Sequence, residues 1–314
     1  MSETRPRSSV SAPEQRHTDS YYGRPVLKEP EWTWEIPWYF FTGGLAGASS
    51  NLAIAARVMG NDRLARRALL VALGGAAVSP VLLISDLGRP DRFYNMFRVF
   101  KPTSPMSLGT WLLTAYGPMA GAAVVGDMLG LFRRLGRGSE LAAALLGPAL
   151  STYTAVLVSD TSVPVWHEAR RELPLVFAAN SAASAGAAAA ILTPVGAAGP
   201  ARRLAVGGAV AGIGTMEWMK RRLGGLLAEP YKREKAGRYD NLSKALSGAG
   251  AALTALAGRK SRLAAAVGGA LILTGVAFER WSVFRAGFQS ARDPKYTVEP
   301  QRGRVDERNG AHGG

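Results

Sequence analysis

The chain has no cysteine and only three histidines, His17, His167 and His312, among its 314 residues. Without thiols it cannot form disulfides, ligate an iron–sulfur cluster, build a cysteine-containing zinc site or use a thiol nucleophile. Two haems held between membrane helices need four embedded histidine ligands. Here His17 and His312 sit in polar tails, and none of the three falls inside an apolar stretch. The protein is therefore expected to carry no haem, no iron–sulfur cluster and no metal of its own. Charge is also scarce, at 19% of residues, and lopsided, with 38 Lys+Arg against 23 Asp+Glu for a net +15.

Apolar residues, by contrast, fall in long blocks. Uncharged runs cover Ile36–Ala56, Ala68–Ser85, Pro102–Gly126, Leu141–Ser159 and Leu173–Ala201, of 21, 18, 25, 19 and 29 residues. About 20 apolar residues cross a bilayer as a helix. Shorter runs follow at Leu204–Met216, Ala245–Gly258 and Leu263–Phe278, of 13, 14 and 16 residues, each extendable past one polar or basic edge residue. A soluble alanine-rich helical protein would show charged faces at the helical period, and the first five runs carry no charge. The 37 glycines and abundant alanine suit close helix packing in lipid. Polar tails account for a mean hydropathy of only +0.04. The expected fold is an all-α integral membrane protein of about eight transmembrane helices in two four-helix bundles.

A weak repeat accompanies that count. PWYFFTGGLAGAS (Pro37–Ser49) and PLVFAANSAASAG (Pro174–Gly186) share Pro37/Pro174, Phe40/Phe177, Ala46/Ala183 and Ala48/Ala185 in register. An offset of four helices corresponds to a parallel duplication, and proline suits the first turn of each helix. The expected organisation is a polar N-terminal arm (1–35), a first bundle (36–160), a connecting loop (161–172), a second bundle (173–283) and a polar C-terminal tail (284–314). The arm lacks the apolar core of a signal peptide.

With an even number of spans, both tails share one side with alternate loops, and that side holds 26 of the 38 Lys+Arg against 12 opposite. The positive-inside rule places both termini in the cytoplasm of a multi-pass protein of the inner or plasma membrane. The same clustering of basic residues beside apolar spans assigns the positive charge to topology rather than to nucleic acid. The tail-side arms and a basic loop from Lys220 to Lys244 are expected to offer a surface for a partner.

The same parity gathers polar groups at the tail-side boundary. Trp34 precedes the first span and Tyr39 lies one turn into it. Asp86 and Arg89 are placed to pair in the turn after the second span. SPMSLGTW opens the third, and Tyr153 stands two turns before Asp160 at the end of the fourth. His167 lies in the following loop, while Glu217 and Glu279 mark the exits of the sixth and eighth spans. Taken singly, each has an ordinary structural role: an ion pair closing a turn, belt aromatics, an exposed histidine, a solvated helix end. As a group they suit a quinone. Tyr39, Tyr153, Trp34 and Arg89 are candidates to bind and pack it, and Asp86, Asp160, His167 and Glu217 to relay protons.

Four stretches carry a more specific likeness: WEIPWYFFTGGLAGAS (Trp34–Ser49), DLGRPDRF (Asp86–Phe93), SPMSLGTW (Ser104–Trp111), and YTAVLVSDTSVPVW with the following LPLVF (Tyr153–Phe177). In these the sequence resembles the NrfD family, integral-membrane subunits of bacterial respiratory oxidoreductases that include the polysulfide reductase membrane subunit. The likeness covers about the first 180 residues in order. It implies two four-helix bundles and a site for menaquinone or another quinone near a surface where an iron–sulfur ferredoxin-like subunit docks. It also implies a molybdopterin catalytic subunit beyond that partner. The family's quinone-contacting positions fall near Ile36, Tyr39 and Tyr153. Some members carry an amide and a histidine where Ile36 and Tyr39 stand, and glycine is common at Ala155. Two other readings of the residues stay open: a secondary transporter with alternating access, and an inert membrane anchor for a soluble enzyme.

Overall fold

The computed structural model describes residues 27–130 and 132–302. His17, His312 and the outer parts of both polar arms lie outside those residues. Among the described residues there are nine principal α-helices and no strand: α1 (Glu35–Val58), α2 (Asp62–Ser85), α3 (Pro105–Leu129), α4 (Arg133–Ser159), α5 (Pro164–Glu168), α6 (Leu173–Leu192), α7 (Gly199–Leu227), α8 (Glu234–Leu256) and α9 (Arg262–Arg292). A short helical stretch, 295–302, follows α9. Five of the nine, α2, α3, α4, α6 and α9, are long and apolar enough to cross a membrane. The remaining long helices, α1, α7 and α8, have 24, 29 and 23 residues but contain no stretch that meets the same standard. α1 is rich in glycine and hydroxyls, α7 takes in Glu217–Arg222, and α8 begins with the charged turns Glu234–Lys244.

Helix ends follow local chemistry. Ser104 and Ser261 cap α3 and α9 through their hydroxyls, with proline in the first turn of α3. α3 stops at Gly130, whose φ of 64° is left-handed. Asn61 caps α2 by accepting from the Leu64 amide at 3.1 Å, and its own amide donates to the Ala197 carbonyl at 2.8 Å. It thus ties the α1–α2 turn to the start of α7. Asn61→Ala is expected to cost about 1–2 kcal/mol, read as a lower unfolding temperature in detergent; an unchanged temperature would remove the cap from the account.

α1 packs on α2 and α4, with α3 against α4 and α2; α6 packs on α7 and α9, with α8 against α9 and α7. α1 and α6 touch each other, and α4 and α9 reach across to α6 and α1 respectively. Close approach is the means of cohesion. A Cβ on Gly47 would lie 2.4 Å from the Gly147 carbonyl oxygen, and one on Gly208 would lie 2.4 Å from the Ala183 nitrogen. Lipid tails are as apolar as leucine, so such backbone contact supplies packing that hydrophobic transfer alone does not.

The start of α1, the end of α2, the start of α3 and the end of α4 share one end of the molecule with α5, the start of α6 and the end of α9. At the opposite end, Arg57 on α1 holds Asp62 of α2 at 3.1 Å, Asp127 of α3 at 3.0 Å and Glu140 of α4 at 3.1 Å.

Three sequence expectations change here. α9 runs to Arg292, so Glu279 lies well inside it rather than at its exit. The basic loop expected over Lys220–Lys244 is mostly helix, because α7 continues to Leu227 and α8 begins at Glu234. Asp86 does not pair with Arg89; it accepts from the backbone amide and hydroxyl of Thr33 at 3.0 and 2.9 Å, and Arg89 is exposed with no ion pair among the described residues.

Candidate functional site

Segments that carry the sequence likeness meet one another at the α1-start end. The Thr33–Asp86 bonds join the approach to α1 with the DLGRP turn. Just inside, Glu35 is buried and takes a hydrogen bond from the Thr33 hydroxyl. Tyr39 follows one turn later, 1% exposed, and its hydroxyl has no hydrogen-bond partner among the described residues. A buried phenol without a partner is costly, and it is a ready donor to an acceptor placed beside it.

Tyr153 lies within electrostatic range of Tyr39 and packs on the same apolar cluster. It is half-buried and forms no hydrogen bond among the described residues. What lets it sit there is Gly109 in the SPMSLGTW stretch: a Cβ at that position would fall 2.0 Å from the Tyr153 hydroxyl oxygen. α3 and α4 thus present an aromatic hydroxyl over a bare backbone. Two phenols from α1 and α4, neither hydrogen-bonded among the described residues, form the candidate site.

Further aromatic groups lie at the same end of the molecule. Trp166 on α5 is fully buried, donates its indole N–H to the Val283 carbonyl at 2.8 Å, and stacks on Trp32 at 5.8 Å. Phe40 meets Phe177 at 5.8 Å, joining α1 to α6. A 3-10 segment, Pro90–Arg98, buries none of its residues and lies edge-on to Trp111 through Phe97 at 6.4 Å. Aromatic side chains of this kind settle at membrane–water interfaces.

The other sequence candidates are distributed around this pair. Asp160, the C-cap of α4, is exposed, and so is His167, whose Nδ1 lies 3.3 Å from the Ser159 carbonyl oxygen. Trp34 is 57% exposed, ahead of α1 rather than against the tyrosines. Glu217 belongs to a different group: it accepts from Lys220 at 2.6 Å and Lys244 at 2.9 Å, with Asp240 bound to the same lysines at 2.7 and 2.8 Å.

Sequence reasoning missed several buried polar groups. Arg280 is 1% exposed; it donates to the Phe177 carbonyl at 3.0 Å and to the Ser181 hydroxyl at 3.1 Å, with its guanidinium 3.7 Å over the Phe177 ring. Its neighbour Glu279 is buried 3.3 Å away without hydrogen-bond alignment, so neither Glu279 oxygen has a donor among the described residues. Tyr231, between α7 and α8, has a buried hydroxyl with no hydrogen-bond partner among the described residues; burial, with Glu279 and Asp240 nearby, pushes its phenol well above the ordinary range. The available signal was a charged pair directly continuing an apolar run, which marks either the end of a helix or a buried pair.

The family model described as "Polysulphide reductase, NrfD" matches residues 27–228, more than half of the chain. The chain belongs to the NrfD family. The match takes in Tyr39, Asp86, Gly109, Tyr153 and His167, so the candidate site lies wholly inside the NrfD region, whereas α8 and α9 lie beyond it. Among curated proteins, the C subunit of polysulfide reductase from Wolinella succinogenes is 33% identical over 111 residues, which amounts to 33% of this sequence and 33% of that protein. The aligned part thus spans about a third of the length of that relative. With NrfD membership and five apolar helices, the protein is a multi-pass integral membrane protein.

Proposed function

We propose that this protein is the quinone-interacting membrane subunit of a multi-subunit respiratory oxidoreductase, exchanging electrons between the quinone pool and a docked iron–sulfur subunit. The observation that carries this is the Tyr39–Tyr153 pair: two phenols without a hydrogen-bond partner among the described residues, within electrostatic range of each other where the family's stretches converge, in a sequence without cysteine. A subunit without cysteine can serve electron transfer by binding a carrier and a partner. A quinone supplies the two-electron, two-proton chemistry. Tyr153 is the outer of the two hydroxyls and Tyr39 the enclosed one, and each can donate to a carbonyl oxygen. Gly109 leaves room for Tyr153, and the surrounding apolar side chains keep water away from the bound oxygens. Asp160 and His167, exposed seven and fourteen residues beyond Tyr153, are the groups placed to pass protons between the site and water.

In this reading α1, α7 and α8 also cross the membrane, giving eight spans in two four-helix bundles over 36–160 and 173–283. Each is long enough, since 23 residues extend about 35 Å against a hydrocarbon core of about 30 Å. The site then faces the cytoplasm with both termini, where most of the basic residues lie. The name of the Wolinella relative, one subunit of a polysulfide reductase, supports partner subunits; an iron–sulfur protein and a molybdopterin protein fit the family.

Binding of a quinone analogue to the purified protein tests the site. Tyr153→Phe and Tyr39→Phe are each expected to weaken it about three- to tenfold, the worth of one hydrogen bond. Unchanged affinity in both variants would overturn the assignment. Co-purification of an iron–sulfur protein with the tagged subunit is the expected result for a redox subunit, whereas a solitary protein that moves substrate across liposome membranes would favour a transporter.

A further inference from the structure

The end of α1–α4 opposite the tyrosines contains two adjoining cavities, of about 310 and 480 Å³, which share Arg66, Asp127 and Met128 in their walls. Their linings differ in kind. The smaller is polar, with Arg57, Arg133, Arg137 and Glu140, while the larger sets Arg63 and Arg67 beside Leu69, Leu70, Val124 and Pro194.

Charge in these walls is unbalanced. The three carboxylates, Asp62, Asp127 and Glu140, are all engaged by Arg57, and Arg66 adds a second contact to Asp127 at 2.9 Å. Arg63, Arg67, Arg133 and Arg137 line the cavities with no ion pair among the described residues. Their position does nothing for their own helices. Arg63 and Arg67 lie in the first turns of α2, and Arg133 and Arg137 in the first turns of α4. A helix N-terminus is its positive end, where cations are disfavoured. Two helix starts and four unpaired guanidiniums therefore converge on one pair of cavities, and their potentials add.

We infer that this place binds a phosphate-bearing anion, specifically the headgroup of an anionic membrane phospholipid. Guanidinium forks match phosphate oxygens two at a time. The apolar wall of Leu69, Leu70, Val124 and Pro194 begins where the arginines end, as an acyl tail attached to that phosphate requires. α2 is one of the helices able to cross a membrane, so its first turns lie at the level of lipid headgroups. A free phosphate would use the arginines and leave the apolar wall without a role.

Lipid binding to the purified protein, followed by native mass spectrometry during titration, tests this with three probes: phosphatidylglycerol, phosphatidylcholine and inorganic phosphate. Phosphatidylglycerol is expected to bind best. Each arginine neutralised is expected to weaken it about fivefold, so Arg63→Gln/Arg67→Gln loses about 25-fold. Arg133→Gln/Arg137→Gln is expected to show a similar loss, and supplies the test if the first pair fails to fold. Arg259→Gln/Lys260→Gln removes the same charge from the α8–α9 turn and is expected to change nothing. Equal losses in that control would overturn a built site in favour of general charge attraction. Displacement of the lipid by an equal concentration of inorganic phosphate, or binding unaffected in both cavity variants, would also overturn the proposal.

Discussion

Replacing Arg280 with methionine is expected to lower stability by about 3–5 kcal/mol, the usual cost of removing one member of a buried ion pair. Arg280 joins three groups on α6 at once, the Phe177 carbonyl, the Ser181 hydroxyl and the Phe177 ring, while neutralising Glu279 on its own helix. Its loss leaves a buried carboxylate with no cation beside it. The double variant Glu279→Gln/Arg280→Met removes that uncompensated charge and is expected to recover most of the loss, because a buried pair replaced as a unit is often close to neutral. Thermal unfolding in detergent distinguishes the two. A single variant as stable as the parent would mean that the pair contributes nothing, and equal losses in single and double variants would shift the role to the α6 contacts.

Gly109→Ala is expected to give the largest functional effect from the smallest change, a loss of about 100-fold in quinol-dependent turnover of the assembled complex. The added Cβ would sit 2.0 Å from the Tyr153 hydroxyl, so the phenol must swing away or α3 must retreat from α4. Overpacking of this sort costs about 1–3 kcal/mol in stability, which the protein survives while the hydroxyl moves from its place. Pairing the change with Tyr153→Phe separates the causes. If Tyr153 acts only through its hydroxyl, Tyr153→Phe reproduces the milder loss and Gly109→Ala exceeds it through displaced packing. Full turnover in Gly109→Ala would remove Tyr153 from the site.

Much of the fold is legible because its driving pattern is local. Uncharged runs and capping residues such as Ser104 stand in the sequence itself, and they put helices close to where they occur. Both differences at helix ends come from one physical cause. Arg280 and Lys220 look like solvated ends when read along the sequence, since a lone cation in an apolar helix is expensive. Each is in fact neutralised within the fold, Arg280 by Glu279 and α6, Lys220 by Asp240 on another helix. Nothing in spacing reveals a partner twenty residues away. The site divides in the same manner. Tyr39 and Tyr153 stand out as polar residues near helix ends, and parity places them at the same boundary. That Gly109 makes their neighbourhood possible, or that Asp86 serves Thr33 instead of Arg89, depends on contacts between segments that only the packed structure brings together.

Arg57 has a mechanical consequence. One cation binds carboxylates from α2, α3 and α4, so the first four helices are knotted together at a single point far from the tyrosines. Spacing at that end is fixed, and any widening must grow with distance from the knot. α1 has 24 residues, roughly 36 Å of lever. A tilt of about 3° about Arg57 would open the opposite end by about 2 Å over that length. On the proposed quinone reading, such a pivot would widen the gap between α1 and α4 at the tyrosine end while leaving the Arg57 ion pairs in place.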